Sequence, residues 1–188
     1  MTDPLTFLKT RRSRPAKIMT GPVPGKEALE ALLVVAARVP DHGKLEPWRF
    51  IVLEEAALRR LSVLATTLAE AAGPDVVDAA KNSYQFETGT LAVVVVESPK
   101  PCVKFPKIEQ TYSAGAVCLQ LVNAALASGW GANWLSGWAS HQPEFCARGL
   151  DLEPHERVAG IIHIGTGPAQ MPDRPRPDVA TITQWATE

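Results

Sequence analysis

Apolar residues follow two different periods along this chain, and each period predicts its own kind of element. Spacings of three and four residues and helix-ending signals predict helices at Pro4–Lys9, Lys26–Val39, Glu55–Ala72, Ile108–Ser128 and Pro143–Arg148. Runs of β-branched and aromatic residues predict strands at Trp48–Leu53, Leu91–Val96, Ala132–Trp138 and Arg157–Gly165. Strands separated by helices indicate an α+β sandwich, in which helices cover a small mixed or antiparallel sheet.

The predicted strand Leu91–Val96 is the most apolar of the four and contains four consecutive valines. A strand that is apolar on both faces needs a packing layer on each side. The pattern therefore places this strand inside the sheet, with helices above and below it, which makes three layers.

The longest predicted helix lies in the least charged part of the chain, since no Asp, Glu, Lys or Arg occurs between Gln110 and Ser140. A membrane span is the alternative explanation for such a stretch. Polar residues such as Gln120 and Asn123 dilute its hydropathy, and the break at 128–131 interrupts it. A hydrophobic central helix that is buried on nearly all sides explains the pattern better, and we expect no membrane partner.

Chain length and the proline-rich end set the expected organisation. The chain has 188 residues, 46% of them apolar, which predicts one domain over residues 1–188 with one sizeable core. Residues 168–188 contain four prolines and too few apolar residues for a core of their own. We expect this extended tail to pack on the partner subunit of a homodimer.

Charge and cysteine usage limit the classes of function. The chain has 19 Lys plus Arg against 20 Asp plus Glu, a net charge of -1, so we expect no nucleic-acid partner, although the short basic run at 11–14 is a weak alternative. The cysteines form no CxxC pair and have no histidine cluster beside them, which predicts no metal site. The same usage predicts a reduced, cytoplasmic protein.

The first segment with candidate chemistry is Arg11-Arg12-Ser13, near the amino terminus. Its two guanidiniums and its hydroxyl can bind a phosphate group. The structural alternative is a solvated basic end of a helix, where positive charge complements the helix dipole. The segment alone does not decide between these two interpretations.

Two further segments combine polar groups with small residues. A helix delivers Arg38 to the loop Pro40–Trp48, in which His42 stands among cations; a surface histidine is the alternative interpretation. The small residues of Gly129–Trp138 permit a planar ligand to approach the backbone. A tight turn followed by a tryptophan-packed core strand explains the same residues.

The order of these segments resembles one family. RRS is followed by a helix that ends in A-A-R-V-P-D-H-G-x-L-x-P-W, then by E-Q-x-x-S-A-G, G-W-G-A-N-W-L-S-G and a late I-x-I-G-T strand. The P-D-H-x-x-x-x-P-W element with RRS upstream is the specific part of this pattern. From about Leu5 to Pro168 the chain is similar to the small FMN-dependent NAD(P)H nitroreductases.

The resemblance implies a nitroreductase-like fold, FMN at the interface of a homodimer, and a set of binding residues. One subunit would hold the flavin through Arg11, Arg12, Ser13, Trp134, Leu135 and Ser136. The other subunit would contribute Arg38 and His42. The nicotinamide nucleotide would meet the helix end formed by Ala124, Ala125, Leu126, Ala127, Ser128 and Gly129.

The resemblance also implies an activity, in which the flavin rather than a side chain is the catalytic group. Hydride would pass from NADH or NADPH through flavin N5 to a nitroaromatic, a quinone or a similar small-molecule acceptor, in a ping-pong cycle. The chain departs from the family at Glu46, where Gln is usual, and at Leu135, where close relatives have Arg. These departures leave open a flavin- or small-ligand-binding module without efficient turnover, and they leave the coenzyme preference and the physiological acceptor open.

Overall fold

The computed structural model describes residues 3–73 and 79–188, and the predicted domain also includes residues outside these ranges. Within them the α-helices are Pro4–Thr10 (α1), Lys26–Ala36 (α2), Glu55–Ala71 (α3), Ala79–Glu87 (α4), Lys107–Ala127 (α5), Trp138–His141 (α6) and Pro143–Leu150 (α7). The strands are Trp48–Glu54 (β1), Leu91–Glu97 (β2), Gly131–Leu135 (β3) and Arg157–Gly165 (β4). Short 3-10 turns lie at Ala16–Ile18 and Val179–Ile182.

The four strands form one sheet in the order β1-β2-β4-β3, and each neighbouring pair is antiparallel. The sheet is therefore antiparallel, and the alternative prediction of a mixed sheet is wrong. Strand β2 lies inside the sheet, and every residue from Leu91 to Glu97 is buried. Strand β3 is an edge strand, so one side of its backbone is available to other segments.

Helices cover both faces of the sheet, because the side chains of β2 alternate between two cores. Val93 and Val95 pack with apolar residues of α2 and α5, whereas Val94 and Val96 pack with those of α3 and α7. Each face of the strand therefore requires its own layer of helices. This arrangement confirms the predicted three-layer α+β sandwich.

Helix α5 is the predicted hydrophobic central helix, and it lies against β2, β3 and β4. It ends at Ala127, and Gly129 then adopts a positive φ of 86°, as the predicted end of the helix requires. In the part of the chain that the structure describes, no helix has the length and hydropathy to cross a membrane.

Two predicted boundaries are wrong for local reasons. Helix α2 ends at Ala36 rather than Val39, since the residue before Pro40 is disfavoured in helical conformation. Strand β3 ends at Leu135 rather than Trp138, because Gly137 has a φ of 128° and Trp138 begins helix α6. The sequence also did not predict helix α4, which buries Phe86 against Phe145 at a ring-centroid distance of 5.3 Å.

Candidate functional site

The segment Arg11–Arg14 is attached to the edge strand of the sheet. The backbone N–H of Arg14 donates to the carbonyl of Ala132 in β3, at 2.9 Å. The Arg14 guanidinium donates to the carbonyls of Pro168 at 2.7 Å and Ala169 at 2.9 Å. Arg14 therefore joins the basic segment to the start of the carboxy-terminal tail, and three carbonyls, including that of Arg12, occupy its guanidinium.

Two adjoining cavities lie between the basic segment, β3 and the tail. The first, of about 470 Å³, is lined on one side by Leu126, Gly129 and Trp130 from the end of α5. The second, of about 590 Å³, is lined by Ser13, Asn133 and the tail residues 171–174 and 176. Arg11, Arg12 and Met171 border both, so we treat the two as one site and call it the arginine cavity.

Arg11 is a half-buried cation of this cavity, and no described carboxylate forms an ion pair with it. One of its terminal nitrogens donates to the Ser13 hydroxyl at 3.2 Å, while its buried Nε has no hydrogen-bond partner among the described residues. Burial lowers the pKa of Arg11, and repulsion from Arg176 and Arg12 lowers it further. A guanidinium stays charged in proteins, so this environment favours an anion that would bind to it.

The neighbouring Arg12 has a partner from the tail. Its Nη1 lies 3.2 Å from a carboxylate oxygen of Asp173, whose side chain is 71% exposed. The same Asp173 oxygen lies 2.7 Å from Arg176. The backbone N–H of Arg174 and the Arg176 guanidinium lower the pKa of Asp173. The cavity thus combines several guanidiniums with one exposed carboxylate.

The predicted ring-binding residues lie at the end of β3. Trp134 lies over Gly160 of β4, since a Cβ added at Gly160 would come within 2.1 Å of the indole Nε1. The carbonyl of Ser136 accepts a hydrogen bond from Gln85 of helix α4 at 2.8 Å. Leu135 is half-buried between these two residues. The prediction missed Gln85 because no pattern in the sequence indicated helix α4.

Gln85 also contacts a buried histidine in the neighbouring strand β4. The oxygen of its side chain lies 3.4 Å from Nε2 of His163, which is 1% exposed. Burial lowers the pKa of His163 to about 4, so the imidazole is neutral at pH 7. His163 therefore supports the strand end as an uncharged group.

Arg38 and His42 lie outside the arginine cavity of their own chain, since neither borders it. Arg38 is exposed. His42 stacks on Phe105 with ring centroids 3.7 Å apart, and its Nδ1 lies 2.6 Å from a carboxylate oxygen of Glu109. The structure thus places the first segment against the start of the third, since Gly131 and Asn133 border the cavity. Trp134, Leu135 and Ser136 do not border it, and the second segment lies elsewhere.

The predicted nicotinamide stretch divides between two surfaces. Leu126 and Gly129 border the arginine cavity. A separate apolar cleft of about 350 Å³ between α2 and α5 is lined by Ala124, Ala127 and Ser128. Ala125 is fully buried in the core. Only part of the stretch therefore faces the cavity beside Arg11.

The sequence interpretation assigned no site role to the tail, although its residues complete the arginine cavity. Asp173, Arg174 and Arg176 form a charged run among prolines, in a segment that the sequence assigned to a partner subunit. Pro168, Ala169 and Asp173 contact this chain's own basic segment. Packing on a partner stays a prediction for the exposed residues that follow.

The fold and the site together define a class of protein: an α+β sandwich with an arginine-lined cavity at the edge of its sheet. The model of the nitroreductase family matches residues 8–166. This chain belongs to the nitroreductase family, which confirms the resemblance drawn from its motifs.

Relatives and solved structures agree with this assignment. A protein of Haemophilus influenzae named "Putative NAD(P)H nitroreductase" is 36% identical over 168 residues, which make up 88% of this chain and 89% of that protein. The nitroreductase-like family protein from Bacillus cereus has a TM-score of 0.82 at 23% identity, over 100% of this chain and 98% of the other. A Desulfovibrio desulfuricans structure, titled a "putative nitroreductase in complex with fmn", has a TM-score of 0.74 at 19% identity, over 100% and 99%.

Proposed function

We propose that this chain is an FMN-dependent oxidoreductase that takes hydride from NADH or NADPH and reduces flat organic acceptors such as nitroaromatics and quinones. Family membership and the NAD(P)H in the name of the Haemophilus influenzae relative support this proposal. The Desulfovibrio desulfuricans structure of the same fold was determined with FMN. The free cysteines of the chain fit the cytoplasmic location expected from the sequence.

The observation that carries the proposal is the half-buried Arg11 guanidinium, which has an unpartnered Nε and no ion pair with a carboxylate in the described part of the chain. A phosphate group supplies both the charge and the acceptor oxygens that such a group lacks. The adjoining cavities of about 470 and 590 Å³ give space for a ligand larger than phosphate. The residues present therefore fit the phosphate end of FMN.

In this proposal Arg11 and Arg12 bind the phosphate, and Ser13 binds the phosphate or the ribityl chain. Trp134, Leu135 and Ser136 provide the backbone along which the flavin ring lies. Bound FMN supplies the redox chemistry, since it accepts a hydride and passes electrons to an acceptor in a ping-pong cycle. The chain itself binds and orients the cofactor and keeps the strand end in place through the contact of Gln85 with the Ser136 carbonyl.

The proposal places the nicotinamide nucleotide at the end of helix α5. Leu126 and Gly129 border the arginine cavity, which makes them the part of the stretch 124–129 that is available for this contact. Ala124, Ala127 and Ser128 face the apolar cleft on the other side. We therefore expect substitutions of Leu126 to change KM for NADH or NADPH more than substitutions of Ala127.

We also propose a homodimer in which Arg38 and His42 serve the flavin of the other subunit, because neither borders the cavity of its own chain. The tail carries exposed apolar side chains at Val179, Ile182 and Trp185, which are 67%, 71% and 86% exposed. A second copy of the chain would cover them.

Removing residues 178–188 deletes these side chains and retains the tail residues at the arginine cavity. We expect the shortened chain to dissociate at higher concentrations than the full chain in sedimentation experiments. A chain that lacks only Thr187 and Glu188 is the matched control. A full-length protein that is monomeric at micromolar concentration contradicts the dimer.

An anaerobic absorbance experiment tests the proposed function as a whole. The purified protein, reconstituted with FMN, should be yellow, should bleach with NADH or NADPH, and should recover its colour when a quinone or nitroaromatic is added. A protein that refuses FMN at micromolar concentration contradicts cofactor binding. Bound FMN that neither nicotinamide bleaches supports the alternative of a flavin-binding module without turnover.

A further inference from the structure

The contacts of His42 form a built cluster between two loops and the start of helix α5. Nδ1 of His42 lies 2.6 Å from Oε2 of Glu109, and the imidazole stacks on Phe105 with centroids 3.7 Å apart. Gly43 permits this stacking, because its φ is 77° and an added Cβ would come within 2.2 Å of the Phe105 ring. The imidazole is therefore held on one face and at one nitrogen.

The motif E-Q-x-x-S-A-G at the start of α5 connects the cluster to the rest of the fold. Gln110 accepts from the Lys100 N–H at 2.8 Å and donates to the Lys100 carbonyl at 3.0 Å. The Ser113 hydroxyl donates to the Pro40 carbonyl at 2.8 Å and accepts from the Trp48 indole at 3.2 Å. These residues fix the two loops, which leaves Glu109 as the motif's contact with the imidazole.

The other charged groups near His42, Asp41 and Lys104, make contacts other than a hydrogen bond to the imidazole. The Asp41 carboxylate accepts from the backbone N–H groups of Leu45 at 3.2 Å and Glu46 at 2.8 Å. The Lys104 ammonium lies over the outer part of the stack, 5.3 Å from the Phe105 centroid. Glu109 lies in the first turn of α5, where the helix dipole stabilises a negative charge.

We infer that Glu109 is a positioning residue for His42: it holds the proton on Nδ1 and leaves Nε2 as the one ring nitrogen available to the flavin. A carboxylate at 2.6 Å accepts a hydrogen bond and cannot donate one when it is ionised, so the nitrogen that faces it carries the proton. This inference rests on the proposed function, in which His42 contacts the flavin of the other subunit.

Nitrogen NMR of the cofactor-free protein tests the proton position directly. In the native chain the neutral form of the His42 ring should be the Nδ1–H tautomer. Glu109→Ala should move the ring toward the Nε2–H tautomer, and Glu109→Gln, which keeps an acceptor oxygen at the same reach, should give an intermediate result. Glu27→Gln is the matched control, because Glu27 occupies the first turn of α2.

FMN titration and the flavin midpoint potential then test the role toward the cofactor. We expect Glu109→Ala to weaken FMN binding about tenfold and to shift the potential, with Glu109→Gln restoring part of both. A native Nε2–H tautomer, or variants that bind FMN with the affinity and potential of Glu27→Gln, would overturn the inference. If the native chain itself refuses FMN while its NMR signals show Nδ1–H, the failure lies with the proposed function.

Discussion

The arginine cavity and the His42 cluster both concentrate polar groups, but they balance charge in opposite ways. Among residues 3–73 and 79–188, no carboxylate in the cavity forms an ion pair with Arg11, and Arg12 pairs with Asp173 of the exposed tail. In the cluster His42 is paired with Glu109 of the long central helix. Cations without a carboxylate partner favour binding of an anionic ligand, as in the arginine cavity. A cation or imidazole paired with a carboxylate of the chain is instead held in one orientation, as in the His42 cluster.

His163 shows what the interior does to a group that can give up its charge. It is buried, no described carboxylate pairs with it, and it stays neutral at pH 7 because burial lowers its pKa to about 4. Arg11 has no such alternative, since a guanidinium remains protonated. The contrast explains why the unsatisfied Nε of Arg11, rather than the unsatisfied Nδ1 of His163, indicates a binding site.

The largest expected effect follows from removing the uncompensated cation. We expect Arg11→Ala to weaken FMN binding on the order of 100- to 1000-fold, because several charge-assisted hydrogen bonds to a phosphate are lost together. Fluorescence quenching during FMN titration measures the change. Arg59→Ala is the control, since Arg59 pairs with Glu55 on the exposed side of α3. Equal affinities for the two variants would mean that the FMN phosphate binds elsewhere and that Arg11 is not its binding group.

The family and the layers of the fold could be predicted from short segments of the sequence. The order RRS, P-D-H-x-x-x-x-P-W and G-W-G-A-N-W-L-S-G was sufficient for the family, because these segments combine binding groups with turn residues at fixed places. The buried strand Leu91–Val96 was sufficient for the layers, because an apolar run on both faces has one physical explanation.

The remaining features depend on contacts between distant parts of the chain. The Arg14 side chain donates a hydrogen bond to the carbonyl of Pro168, 154 residues away, and no local sequence pattern predicts this contact. Helix α4 has the sequence AAKNSYQFE, in which Asn, Ser, Tyr and Phe have weak helix propensity, so packing rather than propensity determines it. Strand β3 ends early because Gly137 adopts a φ of 128°, which the sequence permits but does not require.

The neutral histidine predicts a dependence of stability on pH. In the unfolded chain His163 binds a proton below its ordinary pKa of 6.5. In the folded chain it binds one only below about pH 4, because burial lowers its pKa. The free energy of unfolding should therefore fall as the pH drops from 6.5 to about 4, by about 3 kcal/mol from this group. Denaturant titrations at several pH values measure this slope.

The control for this prediction uses two neutral substitutions. His163→Gln should remove most of the slope, while the same change at the exposed His155 should leave it in place. A slope that persists in His163→Gln would mean that a group other than His163 causes it, which would contradict the prediction.

The close contact of Trp134 with Gly160 provides a smaller test at the strand end. We expect Gly160→Ala to lower the free energy of unfolding by about 1–3 kcal/mol, because the new Cβ would lie 2.1 Å from the indole nitrogen and must displace the ring. Tryptophan fluorescence should change as well. Gly115→Ala is the matched control: it lies in α5 with nothing within 4 Å of the added Cβ, so it should be neutral or stabilise the chain by up to ~1 kcal/mol.

The smallest expected effect concerns the carboxylate of Asp173, which differs from that of Glu109 in how firmly it is held. Asp173 is exposed, so an incoming phosphate can displace it from Arg12, whereas Glu109 is fixed on a helix. We therefore expect Asp173→Asn to strengthen FMN binding by up to about fivefold, as is usual for exposed ion pairs, with the gain shrinking as salt is added. Asp178→Asn removes the same charge from the tail at a residue that only caps the turn at Ala180. Weaker binding by Asp173→Asn alone would mean that Asp173 orients Arg12, and the two regions would then use carboxylates in the same way.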